Sequence, residues 1–293
     1  MEIEQLPAIS RLFSSSVIRE LARKGQSPLF ARLAKQSGLS DSLPGSELVR
    51  NVFEAAFSIL RREGFRHEYV YKAALTKNIL LGKHSLRTAS MLTEFRAGEC
   101  KVDLAILNGT ATAYEVKSER DSLKRLERQV TAYSKVFARV YVIAASNHVD
   151  SVIAAVPKDV GVLRLSNRFS ISQLRDAADR PDRTAPEAIF ESIRKDEAHL
   201  ILSSLGKPIP AVPNTELSCV LRELFIKLTP FEAHHGMVRT LRKTRDLLPL
   251  SDLVARLPTS LQTAALSVPL RKLDHPRLLT AVNTSLDEAM CWL

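Results

Sequence analysis

Helical spacing of apolar residues is clearest over Val49, Val52, Phe53, Ala56, Phe57 and Leu60, with Ser46 as a candidate cap before it and Gly64 as a stop. Upstream, short helical patterns over 17–23 and 29–35 alternate with breakers at Gly25, Pro28, Gly38 and Pro44, which predicts a helical segment over 1–45. Residues 69–90 mix aromatic, basic and aliphatic side chains without a clean period and read as mostly helical. The period then changes. Runs at 102–107 and 111–117 flank Asn108-Gly109, the turn signal of a tight β-hairpin. Leu123, Leu126, Val130, Tyr133 and Phe137 follow at helical spacing. Residues 140–145 are almost wholly apolar, as in a buried central strand; 148–156 suits a helix and 160–165 a further strand. Strand, strand, helix, strand, helix, strand predicts an α/β domain around one mixed sheet over 46–167.

Past residue 167 no strand pattern recurs. Asp, Arg and Pro dominate 176–186, which suits a linker, and helical patterns at 187–205, 216–228, 231–248, 251–257, 261–266 and 276–292 are separated by prolines. A helical C-terminal domain over 168–293 is expected. There is no internal repeat and no low-complexity tract.

Composition adds a partner to this outline. Lys and Arg number 42 against 32 Asp and Glu, a net charge of +10, so the surface field favours a polyanion, nucleic acid first among them. Charge alone fits a basic but indifferent protein equally well. Cys100, Cys219 and Cys291 form no CxxC pair or zinc spacing, which predicts reduced, mostly structural thiols. The acidic start MEIEQLPAIS lacks a basic leader region and no apolar run reaches membrane-spanning length, so a cytoplasmic protein without membrane contact is expected.

The candidate chemistry lies on the hairpin. Asp103 interrupts an apolar strand, and Glu115 and Lys117, two apart on the next strand, point to one face. A lone E-x-K is usually a surface ion pair. Here the apolar setting of Asp103 and the central character of 140–145 argue for charges gathered on purpose, since unpaired charges in a core are costly. Phosphodiester hydrolysis needs charge stabilisation at the attacking and leaving oxygens, which Mg²⁺ or Mn²⁺ held by Asp103 and Glu115 can supply. A lysine beside bound metal can assist the attacking water, and Lys117 fits that place.

Asp103 followed twelve residues later by Glu115-Val116-Lys117 resembles the PD-(D/E)xK nuclease superfamily, and Gln129-Val130-Thr131-Ala132-Tyr133 on the succeeding helix resembles the QxxxY motif of its RecB-like branch. The resemblance covers roughly 48–166. It implies a restriction-endonuclease-like fold, a mixed sheet flanked by helices, and cleavage of nucleic acid, DNA first, with Gln129 and Tyr133 placing the substrate beside the metal. Val102 stands where the superfamily name has proline. The family often adds a carboxylate from an upstream helix; among Glu54, Glu94 and Glu99 we favour Glu94 as a third metal ligand, with a helix-end charge as its equal alternative.

Lys124, Arg125, Arg128 and Lys135 on the helix after the hairpin are candidate phosphate contacts, as is the basic run Arg239–Arg245 in a weaker sense; a solvated face is the competing account of each. His234-His235 are adjacent and diverge on a helix, Ser14-Ser15-Ser16 reads as a helix start, and no glycine-rich phosphate loop is present. The expected activity is therefore Mg²⁺-dependent nuclease action of the kind used in bacterial defence or DNA processing. The alternative is a nuclease-fold module that binds nucleic acid or protein without cutting. A homodimer, or a protein partner on the C-terminal helices, fits either.

Overall fold

A computed structural model describes residues 3–293; Met1 and Glu2 of the acidic start lie outside the described residues. In chain order come α1 (Leu6–Arg11), α2 (Ser15–Lys24), α3 (Pro28–Gln36), α4 (Leu39–Ser42), α5 (Val49–Leu60) and α6 (Glu68–Leu75), the last running into a π-helical turn at Thr76–Leu80. Strands β1 (Ser90–Ala97), β2 (Cys100–Asn108) and β3 (Thr110–Lys117) follow. Then come α7 (Leu126–Ser134), β4 (Arg139–Ala144), α8 (Val149–Ala155), β5 (Gly161–Leu165) and β6 (Ile171–Arg175). The rest is helical: α9 (Pro186–Ser192), α10 (Lys195–Ser204), α11 (Asn214–Phe225), α12 (Pro230–Thr244), α13 (Ser251–Arg256), α14 (Thr259–Ser267), α15 (Asp274–Val282) and α16 (Leu286–Met290).

The chain divides into two units. One comprises Met1–Ile79, Asn167–Ser170 and Leu248–Leu293; the other, Leu80–Ser166 and Ile171–Leu247. In the first, the amide of Val49 donates to the Thr284 carbonyl (3.0 Å), and the Ser260 amide and hydroxyl donate to Glu54 Oε1 (3.1 and 2.6 Å). Glu54 thereby satisfies the N-terminus of α14. Phe13 stacks on Tyr69 and packs against Phe53 within the apolar centre of this unit.

The second unit is mixed α/β. Its six strands lie in the order β1-β2-β3-β4-β5-β6, antiparallel from β1 to β3, parallel through β4 to β5, and antiparallel again at β6. Each parallel step is made through a helix, α7 and α8, as a parallel pairing requires. One buried cluster joins Ala105, Leu107, Ala111, Ala113, Val140 and Val142 of the sheet to Leu126, Val130 and Tyr133 of α7. It extends to Ile189, Ile201, Leu221, Phe225, Met237 and Leu241 of α9–α12.

These findings revise several expectations. The helices of 186–247 belong with the sheet, because their apolar faces cover it, while those from 248 onward group with the N-terminal helices. The boundaries at 45 and 167 and a single C-terminal body over 168–293 therefore do not describe the two units. Residues 176–186 are no free linker: Asp159 pairs with Arg183, and the Ala185 amide donates to the Lys135 carbonyl (2.8 Å). Strands β1 and β6 were not expected. Cys219 and Cys291 are exposed and only Cys100 is buried, so two of the three free thiols have no packing role. Among the described residues no helix is long and apolar enough to cross a membrane.

Candidate active site

Strand register brings the acidic residues into line. The β1–β2 ladder pairs Thr93 with Leu104 and Phe95 with Val102, so Glu94 stands opposite Asp103; the β2–β3 ladder ends at Leu104–Tyr114, and its continuation sets Asp103 opposite Glu115. The row Glu94, Asp103, Glu115 thus crosses three adjacent strands, going from exposed through half-buried to 2% exposed. Glu94 sits on a strand, not on the upstream helix that sequence reasoning gave it. One carboxylate oxygen of Glu94 and one of Asp103 lie within 4.8 Å of each other.

The ladders are irregular where the row crosses them. Glu94 has φ +53°, in the left-handed region that a non-glycine residue enters at a cost of roughly 1–2 kcal/mol. On either side of it Leu92, then Phe95 and Ala97, join the same buried cluster, so the period-two alternation slips by one position. β2 slips likewise between Val102 and Ala105. Such local strain gathers at functional sites more often than elsewhere. Where β2 and β3 part, Asp103 Oδ2 accepts the Val116 amide at 2.7 Å and so replaces a ladder bond with a carboxylate.

Glu115 and Lys117 are deeply set, at 2% and 4% exposure. Lys117 Nζ donates to Glu115 Oε1 (2.8 Å) and to Gln129 Oε1 (2.9 Å). The Tyr133 hydroxyl lies 2.7 Å from Glu115 Oε2 and 2.7 Å from the Lys101 carbonyl, two acceptors for a single proton, and Gln129 Nε2 donates to it at 3.4 Å. Helical spacing presents Gln129 and Tyr133 one turn apart on α7, which closes a ring: lysine, glutamate, tyrosine, glutamine. Burial, then the negative charge and hydrogen bond of Glu115, with Asp103 and Cys100 adding to them, hold the Tyr133 phenol far above its ordinary pKa. It therefore acts as a hydrogen-bond donor and not as a base, and it feels both carboxylates. After Lys117, the Ser118 amide and hydroxyl both donate to Asp121 Oδ2 (2.7 Å each), which turns the chain away towards α7.

Donor chemistry suits a hard divalent cation, which takes carboxylate oxygens. Asp103 and Glu94 offer oxygens at sharing distance, and Glu115 completes the row although both its oxygens are engaged by Lys117 and Tyr133.

The four basic candidates on and around α7 are all exposed, and three of them point elsewhere. Lys124, Arg128 and Lys135 line a cavity of about 920 Å³ together with Arg183 and with Glu99, Glu127, Glu187 and Glu191. Four cations face four carboxylates there, so the wall is close to neutral. Glu127 is near these cations in sequence, but Glu187 and Glu191 come from α9, far along the chain, where no local pattern ties them to α7. Arg125 begins α7 outside that wall.

A family model described as "Bacteriophage P4 protein cII" matches residues 61–242, a span that contains all six strands and every residue of the ring and the row. "Protein cII" of Enterobacteria phage P4 is 40% identical over 72 residues, 24% of this chain and 27% of that protein, so the match spans about a quarter of the phage protein's length. Among solved structures, a protein of unknown function from Silicibacter pomeroyi aligns at 17% identity over 41% of this chain and 81% of its own, with a TM-score of 0.29.

Proposed function

The chain belongs to the bacteriophage P4 protein cII family, and from there we propose that it is a metal-dependent nuclease of the PD-(D/E)xK superfamily, RecB-like branch, with a restriction-endonuclease-like fold and DNA as its substrate. The observation that carries the reading is the row Glu94, Asp103, Glu115 with the Lys117 ammonium fixed beside it by Glu115 and Gln129.

In this reading Asp103, Glu115 and Glu94 hold Mg²⁺ or Mn²⁺, which when bound supplies charge stabilisation at the phosphoryl oxygens. Asp103 is held ready by the Val116 amide, and Glu115 by Tyr133. An ammonium has three donors. Two of those on Lys117 are used within the ring, and the third is left to orient the attacking water and to meet the charge that develops on the phosphate. Gln129 fixes the lysine and Tyr133 fixes the glutamate, so both act by positioning.

A second reading, nucleic-acid binding without cleavage, draws support from the burial of Glu115 and Lys117, whose ring of hydrogen bonds is complete without any ligand. The test is incubation with single- and double-stranded DNA and with RNA in Mg²⁺ or Mn²⁺, beside Lys117→Ala. Cleavage by the unaltered protein and its loss in the variant are expected. Salt-sensitive binding with no cleavage by either would replace the first reading with the second.

A further inference from the structure

Helix α12 carries a second set of charged groups that the ring does not use. Arg239, Arg242 and Lys243 line a cavity of about 400 Å³ with His235, Val238 and Gly109, the last at the tip of the β2–β3 turn. No carboxylate contributes to that wall. Spacings of three and four residues place Arg239, Arg242 and Lys243 on one face of the helix, where like charges repel. None of the three has an ion-pair partner among the described residues, whereas Arg245, two residues on, is held by Glu197 at 2.8 Å. The wall beside α7, by contrast, sets four carboxylates among its four cations.

The fittings around these cations keep them facing the cavity. Arg242 Nη2 donates to the carbonyl of Arg87, which draws the exposed Arg87 to the same edge and leaves the remaining guanidinium donors of Arg242 available. Nothing stands within 4 Å of where a Gly109 side chain would be, so the turn leaves the approach open. His235 is exposed and stacks on Phe231. Gly109 lies six residue steps beyond Asp103 along β2 and its turn, about 20 Å of extended chain, or roughly six phosphate spacings along one strand of duplex DNA.

We propose that Arg239, Arg242 and Lys243 form a phosphate-backbone clamp for DNA, gripping the strand several nucleotides from the carboxylate row. The inference rests on the nucleic-acid reading above, yet it is tested by binding alone. A fluorescein-labelled 20-base-pair DNA is titrated with the full chain in EDTA, where metal-dependent cutting is silent, and the dissociation constant is measured between 50 and 300 mM KCl. Each phosphate neutralised contributes about 0.9 to the slope of log K against log salt. The triple variant R239Q/R242Q/K243Q should therefore lower that slope by about 2 to 3.

A control of equal charge, K158Q/R164Q/K227Q, removes three exposed cations of the same unit and should leave the slope unchanged. R239Q/K243Q, which alters only exposed positions and spares the Arg87 contact, should lower it by about 1 to 2, and unchanged circular dichroism melting shows that both α12 variants are folded. An unchanged slope in the α12 variants, equal losses in the control, or no salt-sensitive binding by the unaltered chain would each overturn the clamp. If cleavage fails while the slope changes as described, the nuclease reading falls and the clamp stands.

Discussion

Replacing Lys117 by methionine keeps most of the apolar stem and removes the ammonium, which makes it the sharpest probe of the buried ring. Lys117 Nζ is the donor for Glu115 Oε1 and Gln129 Oε1, and Glu115 is only 2% exposed, so the variant leaves a carboxylate charge buried with the Tyr133 hydroxyl as its hydrogen-bond donor. Breaking such a pair from one side costs about 3–5 kcal/mol, because the surviving charge has lost its counter-ion without regaining water. With a urea m-value of about 3 kcal/mol/M, the unfolding midpoint should drop by roughly 1–1.7 M. Glu115→Gln in the same background removes the stranded charge while keeping an acceptor for Tyr133. The double variant should then be more stable than Lys117→Met alone, with a coupling of about 2 kcal/mol in the cycle. Urea unfolding followed by circular dichroism in EDTA at pH 7.5 measures all four corners. A loss below about 1 kcal/mol with no coupling would refute the reasoning, since the pair would then behave as a solvated one.

Acidification should weaken the fold through His234. This residue is fully buried, its Nε2 accepts the Ala111 amide at 3.4 Å, its Nδ1 has no hydrogen-bond partner, and burial with His235 nearby lowers its pKa to about 4. Between about pH 6.5 and 4 the unfolded chain binds the extra proton, so stability falls as pH drops through that window, by about 1.6 kcal/mol from 6.5 to 5. His234→Leu should flatten that part of the dependence by about one proton, while His67, lowered to about 4 by its own burial, keeps a similar contribution; urea midpoints at pH 7 and 5 decide. Mg²⁺ at about 100 times its Kd should raise stability by about 2.7 kcal/mol. Asp103→Asn keeps an acceptor for the Val116 amide but should lose that increment, and an equal thermal shift in both proteins would remove Asp103 from the ligand set. Gly161→Ala should cost about 1–3 kcal/mol, since a methyl there runs into the Tyr141 ring and comes within 2.9 Å of the Ala177 nitrogen; an unchanged melting temperature would contradict that packing.

Strong local periodicity made much of the sheet legible. The hairpin around Asn108-Gly109, the apolar run that becomes β4 and the helical spacing of Leu126, Val130 and Tyr133 each follow from residues close in sequence. β1 was hidden because left-handed Glu94 breaks its alternation, and β6 because Ile171–Arg175 is a half-exposed edge strand with little apolar signal. Both are consequences of position in the sheet. Asp103, Glu115 and Lys117 could be singled out from their pattern on the hairpin, and Gln129 and Tyr133 from the resemblance to the QxxxY motif. That Glu94 shares their row required the β1–β2 register, and that the cations of α7 face carboxylates of α9 required the tertiary fold. The grouping of 248–293 with the N-terminal helices likewise rests on pairings such as Glu54 with Ser260, which no local pattern announces.

The most direct measurement of the central claim is the single-turnover rate of DNA cleavage in Mg²⁺ by the unaltered protein and by Asp103→Asn, with folding of both checked by circular dichroism. The account predicts metal-dependent cleavage that falls by at least about 100-fold in the variant, as expected when a carboxylate that organises charge at the reacting phosphate is neutralised. Equal rates in the two proteins, or no cleavage by the unaltered chain under conditions where it binds DNA, would contradict it.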